Sequence, residues 1–278
     1  MRRNDWARSR REAWVVNLTP GLYVQVYRAK VPGAARPQRL MLLDAHAQEW
    51  ARLGAKGIAW HGFSTELTID AMRDLTAICR NHSLVSLAAY GMDSSDPTGK
   101  GERIGRVLES DVCDGVVLDA EGAWEDDADG DDREHARRFA STFLPHRQHA
   151  PGKPVIDQPW PVPTVHWSWP WEEFAECVDA RAPQYYVNDW TSTFGRDRFA
   201  RCVGKFDEAW RRLDARLTPT GHARPRVWTI QGYGWGDIRA DLATALKRAQ
   251  TEPLIVWCEP FPDDAFMDVW RGMASQAA

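Results

Sequence analysis

The stretch DGVVLDAEGAWE, residues 114–125, decides how this chain is read. Its first eight residues form a short, β-branched apolar run opened by the turn-forming pair Asp114-Gly115. That length and composition specify a buried strand. The run closes on two carboxylates one residue apart, Asp119 and Glu121, with Trp124 just beyond. An acidic loop follows (EDDADGDD, 125–132). It lacks the DxDxDG register and distal Glu of a calcium loop and reads as solvated loop. Helical periodicity then runs over 131–149.

The same strand-then-helix unit recurs along the chain. Working outward, the other strand-like runs are LYVQVY (22–27), GIAWHG (57–62), LVSLAAY (84–90), PVIDQPW (154–160), PQYYVND (183–189), RVWTIQGY (226–233) and PLIVWCEP (253–260). WVVNL (14–18) competes for the role of first strand. Helical segments fall at about 37–53, 66–80, 100–110 and 171–180. Phe199, Val203, Phe206, Trp210, Leu213 and Leu217 step by fours and threes, one apolar face of a further helix. Ile238, Leu242, Ala245 and Leu246 repeat that pattern, and Pro262-Asp263-Asp264 opens a last helix burying Phe266, Val269, Trp270 and Met273. Eight such units predict a single α/β domain, a (β/α)8 TIM barrel over 21–278, preceded by a basic arm over 1–20. The competing open doubly wound sheet calls for a glycine-rich phosphate loop after its first strand. The one glycine cluster, GYGWG (232–236), has neither that place nor that spacing.

The 278 residues, 44% hydrophobic and 27% charged, are enough for one large core. A formal net charge of −4 gives no general affinity for nucleic acid or an anionic membrane. No apolar run approaches the roughly 20 residues that span a bilayer. The start, MRRNDWARSRREAW, is basic but has no apolar h-region, which predicts synthesis in the cytoplasm and, for any outside target, export or release by lysis. Five scattered cysteines without a CxxC pair read as reduced, mostly buried thiols. Fifteen tryptophans are an unusual number, and their placement matters more than their count.

In a barrel of this kind the C-terminal strand ends form the active face. Those ends carry Trp60 and His61; Tyr90 and Asp93; Asp119, Glu121 and Trp124; Asp157, Gln158 and Trp160; Tyr186, Asn188 and Trp190; Gln231, Tyr233 and Trp235; Trp257 and Glu259. Indole faces interleaved with amides and acids suit a glycan, whose C–H faces stack while its hydroxyls find polar partners. Trp50, Trp210 and Trp270 instead read as packing for the outer helices. Alternation along a strand puts Val117, Asp119 and Glu121 on one face and Val116, Leu118 and Ala120 on the other. The apolar face packs on helices, so the acids point into the barrel mouth. Two carboxylates this close in a poorly solvated place push one pKa up, and a protonated Glu beside an ionised Asp is the arrangement general-acid glycoside cleavage uses. Pairing with an arginine, or capping a loop, is the structural alternative.

At these residues the sequence resembles glycoside hydrolase family 18, the chitinases and endo-β-N-acetylglucosaminidases. Its strand-four signature DGxDxDxE meets DGVVLDAE here: Asp114, Gly115, Asp119 and Glu121 match, while Val117 replaces an Asp. PQYYVND resembles the plant-type QFYN segment, and LIVWCEP resembles the apolar run ending in Trp; the third-strand SxGG is absent. The resemblance implies retaining, substrate-assisted hydrolysis of β-1,4-linked N-acetylhexosamine polymers, peptidoglycan or chitin-like. Glu121 would be the acid, Asp119 would orient the N-acetyl group, Tyr186 would donate to its oxygen and Trp257 would floor the sugar. No cofactor or metal is expected, and the expected partner is the polysaccharide; the sequence does not fix the oligomeric state. Family 25 lysozymes are the second resemblance, but their extra first-strand acid is missing from LYVQVY.

Three other readings stay open. Glu259 or Asp157 could serve as nucleophile or base. The barrel could be a non-catalytic glycan-binding or structural module of a phage or secretion assembly. His61, Asp93, Asp119 and Asp157 could converge on a metal, although no HxH or HExxH motif is present.

Overall fold

The computed structural model describes residues 18–27, 31–33, 35–121, 124–125, 131–186, 199–235 and 239–277. The predicted arm up to residue 17, most of the acidic loop, Asn188 and Trp190 lie outside them. Eight strands are present: β1 (Gly21–Tyr27), β2 (Gly57–Gly62), β3 (Val85–Met92), β4 (Gly115–Ala120), β5 (Val155–Asp157), β6 (Ala180–Arg181), β7 (Trp228–Gln231) and β8 (Pro253–Cys258). They form one sheet in the order β6-β5-β4-β3-β2-β1-β8-β7, and every ladder is parallel. Single bridges Arg181↔Arg226 and Gln184↔Thr229 join the two ends. The sheet is therefore a closed (β/α)8 barrel.

The helices among the described residues are α1 (Arg36–Arg52), α2 (Ile69–Asn81), α3 (Pro97–Glu109), α4 (Asp132–His149), α5 (Trp171–Cys177), α6 (Phe199–Leu217), α7 (Arg239–Lys247) and α8 (Asp264–Ala277). None of them is long and apolar enough to cross a membrane. All five cysteines are buried thiols outside any disulfide, as the sequence predicts.

Alternation along the strands sorts the core into two layers. Tyr23, Ala59, Leu87, Ala89, Val117, Ile156, Ala180 and Ile255 fill the barrel interior. Val24, Ile58, Trp60, Ala88, Tyr90, Val116, Leu118, Ile230 and Val256 form the shell between sheet and helices. Each fully buried aliphatic side chain contributes about 1.5–3 kcal/mol. Small interior residues leave room for Tyr23, whose hydroxyl donates to the Thr19 carbonyl at 3.1 Å.

Two departures from the predicted strands matter for the site. Of the predicted sixth strand, 183–189, only 183–186 are described: β6 is instead the pair Ala180–Arg181, and within 183–186 Gln184 makes a single bridge. Pro183 has no N–H to give a ladder, so regular pairing stops before it. The third strand runs on to Met92, which sets Gly91 in register beside Asp119.

The tryptophans also sit differently from the expectation of an indole-walled rim. Trp124 is buried, 5.0 Å and nearly perpendicular to Phe174, and donates to the Met92 carbonyl at 3.2 Å. Trp169 stacks on Phe174 at 4.7 Å, and Trp171 is equally buried. Trp160 stacks on His166 with ring centres 5.1 Å apart. Trp50, Trp210 and Trp270 are buried in the helical shell. Most described indoles thus hold helices and the long β5–α5 connection against the barrel.

Candidate active site

Asp119, the last inward residue of β4, and Glu121, just past its end, lie half-buried at the C-terminal mouth. Both contact one side chain, Gln184. Its amide nitrogen donates to Asp119 Oδ1 at 2.9 Å, to Glu121 Oε1, and to the Gln158 carbonyl at 3.1 Å. Three acceptors thus compete for two N–H hydrogens. Asp119 Oδ2 meets a second partner, His61 Nε2, at 2.9 Å.

That histidine stands on β2, with β3 running between it and Asp119. The bond passes over Gly91, where an added Cβ would come within 3.3 Å of His61 Cε1 and 3.4 Å of Phe63 Cε1. On the other side, the Tyr27 ring meets His61 edge-on at 5.1 Å. Phe63 is 45% exposed at the same end of β2.

The electrostatics separate the two acids' surroundings. Burial pushes the Glu121 carboxyl from its ordinary 4.5 up to about 7. The neighbouring Asp119 adds to the rise, while the Gln184 hydrogen bond and His61 oppose it. A carboxyl held there carries a proton near neutral pH and can give it up.

Below the acids, Gln158 and Gln25 exchange two amide hydrogen bonds of 2.9 Å each across the interior. Around the mouth, Tyr186 and Tyr233 lie 5.6 and 5.8 Å from the Trp257 ring, with Trp257 on the inward face of β8. Gln231, level with Trp257, is fully buried, and neither of its amide atoms has a hydrogen-bond partner among the described residues. Glu259 follows β8 on the exposed rim.

Several residues expected at the mouth lie elsewhere. Trp60 shares its face of β2 with Ile58 and packs in the helical shell. Tyr90 points the same way from β3 and donates to the Leu67 carbonyl at 3.0 Å. Trp235 is buried in that shell, bonded to the Gln231 carbonyl at 2.7 Å, and Trp124 is buried as described above. Asp157 is fully buried, 3.6 Å from Arg181 Nε. Burial raises its carboxyl to about 6 against the pull of Arg181 and Arg224. It has no route to a substrate, as nucleophile or otherwise. Asp93 is engaged by Lys100 at 2.8 Å, so the four proposed metal ligands do not converge. Asn188 and Trp190 fall outside the described residues.

Sequence reasoning did not assign Gln184, Gly91, Gln25 or Phe63 to the site, and it placed His61 at the end of the second strand with no role beyond a possible metal ligand. A signal for Gln184 existed: it stands two residues before Tyr186, on the same face if the segment is extended.

No protein-family model and no curated protein sequence matches the chain. Solved structures do. The endo-β-1,4-mannanase from Thermotoga petrophila superposes with a TM-score of 0.60 at 11% identity, covering 94% of this chain and 78% of that one. The endo-β-N-acetylglucosaminidase from Cordyceps militaris gives 0.55 at 10% identity over 98% and 92%. A putative deoxyribose-phosphate aldolase from Toxoplasma gondii ME49 gives 0.54 at 11% identity over 94% and 96%. Glycosidases and an aldolase share this barrel, and at such identities the likeness establishes the fold alone.

Proposed function

We propose that the chain is a retaining glycoside hydrolase acting on β-1,4-linked N-acetylhexosamine polymers, peptidoglycan or chitin-like, with the family 18 type of mechanism. The observation that carries the reading is Glu121: a carboxyl at the barrel mouth, against Asp119, holding its proton to about pH 7. Glu121 protonates the leaving glycosidic oxygen. The substrate's N-acetyl oxygen attacks the anomeric carbon, and Asp119 stabilises the positive charge that grows on the amide. Tyr186 donates to the acetyl oxygen, Trp257 stacks under the sugar, and Tyr233 holds the chain beside it. Gln158 supports the acid pair from beneath through its carbonyl. General-acid catalysis supplies about 10²–10⁴ of the rate.

The test is incubation of wild type and Glu121→Gln with peptidoglycan and chitin oligomers, read by mass spectrometry. Wild type releases N-acetylhexosamine oligosaccharides and the variant does not. Equal release by both removes Glu121 from the acid role.

A second reading has one observation in its favour, Val117 at the position of the family's first Asp: a barrel that binds glycan without cutting it. Calorimetric binding of chito-oligosaccharides without any product distinguishes it.

A further inference from the structure

The substitution that most weakens the resemblance to family 18 is Val117. An acid there would face the same interior as Asp119 and share in its charge. In this chain Val117 is packed in the barrel interior with Ala89 and Ile156. The neighbour that Asp119 does have comes from another strand: His61, at 2.9 Å across β3.

Three features make that contact directional. First, His61 Nδ1 is buried with no hydrogen-bond partner among the described residues. The favoured tautomer therefore carries its hydrogen on Nε2, because a hydrogen on Nδ1 would be a buried donor with nothing to receive it. Nε2–H then donates to Asp119. Second, Asp119 accepts at both oxygens, from His61 at Oδ2 and from Gln184 at Oδ1. Both Asp119 oxygens thus face donors, the arrangement that suits an acceptor-only carboxylate. Third, among the described residues the donor that reaches Glu121 is the shared Gln184 amide. With three acceptors around two N–H hydrogens, a proton on Glu121 directed at Asp119 balances the hydrogen-bond count.

We infer that His61 is a positioning residue that decides which acid of the pair holds the proton. By donating across the bare backbone of Gly91 it keeps Asp119 as acceptor and assigns the proton to Glu121. It thereby takes over the charge control that Val117 cannot exert. Among the described residues the titratable groups acting on Glu121 are Asp119 from β4 and His61 from β2; Gln184, from the segment after β6, is uncharged. The Tyr27 ring stands edge-on beside His61. The inference deepens the proposed acid role of Glu121 and rests on it for its consequence in catalysis, but its physical content is tested without turnover.

The experiment is carboxyl-carbon NMR titration of the full chain labelled at Asp and Glu, with Glu121→Gln and Asp119→Asn used to assign the two signals. Wild type, His61→Leu and His61→Gln are compared. In wild type the step near neutral pH moves the Glu121 carbon alone. In His61→Leu, which has no donor, the proton is shared, and roughly a third or more of that step appears on Asp119. His61→Gln, which restores an N–H, returns the step to Glu121. An unchanged Glu121 step in a folded His61→Leu chain, or sharing that persists in His61→Gln, overturns the inference. The same variants assayed on chitin oligomers give a lowered kcat at similar KM, with the Leu variant worse than the Gln variant. A wild type that titrates as described but cleaves nothing removes the hydrolase reading and leaves His61's role standing.

Discussion

Gln25 of β1 and Gln158, just after β5, face each other across the barrel and exchange both of their amide hydrogen bonds at 2.9 Å. The pair is fully buried, and the Gln158 carbonyl also receives the Gln184 amide that touches both acids. A closed amide pair satisfies two polar groups that are costly to leave alone. Gln158→Leu strands the Gln25 amide and is expected to lose about 1–3 kcal/mol. The double variant Gln25→Leu/Gln158→Leu is expected to lose less than the sum of the two single changes. Urea unfolding of the three variants measures this coupling.

Gly91 is the gap through which His61 reaches Asp119. An added Cβ would sit 3.3 Å from His61 Cε1, tight but tolerable with small shifts. Gly91→Ala is therefore expected to keep most function. Gly91→Val adds two methyl groups in the same place, pushes the imidazole off Asp119, and is expected to reduce turnover at least 10-fold, on the scale of a misplaced catalytic group. Steady-state rates on one chitin oligomer, with circular dichroism confirming the fold, decide it.

The raised Glu121 carboxyl links stability to pH. Its folded pKa of about 7 lies above the ordinary 4.5, so the folded state holds this proton more tightly than the unfolded chain. The stability it contributes is fully present below pH 4.5 and is lost as pH rises through about 7. The loss is on the order of 3 kcal/mol by linkage. Asp157, raised to about 6 by burial, slopes the same way. Glu121→Gln removes only the first contribution, so its stability relative to wild type is expected to improve between pH 5 and pH 8. Denaturant midpoints at both pH values provide the check.

Trp257 and Trp124 look alike in sequence and do different work. Trp124 is buried among Phe139 and Phe174, and its truncation to Ala is expected to cost about 3–5 kcal/mol of stability. Trp257 is only half-buried, beside Tyr186 and Tyr233. Trp257→Ala is expected to weaken oligosaccharide binding with a smaller change in the unfolding midpoint. Paired calorimetry and thermal melts of the two variants separate the roles.

The barrel was legible because eight short runs alternate with helical periodicity, and GIAWHG coincides residue for residue with β2. Alternation within DGVVLDAE placed Asp119 and Glu121 inward, where Gln184 meets both. Trp60, Tyr90 and Trp235 were misplaced because nearness to a strand's end does not say which face a side chain takes. Trp60 alternates with the inward Ala59 and so lies among the helices. Asp157 was misplaced because its buried partner Arg181 is 24 residues further on in the sequence, beyond any local pattern. The His61–Asp119 contact spans a whole intervening strand, and no spacing along the chain encodes it.

The most direct measurement is time-resolved proton NMR of chito-oligosaccharide hydrolysis by wild type and Glu121→Gln. Wild type is expected to release the β-anomer first, the signature of retention, and the variant to be slower by about 10²-fold or more. Initial release of the α-anomer, or a variant as fast as wild type, contradicts the proposed mechanism.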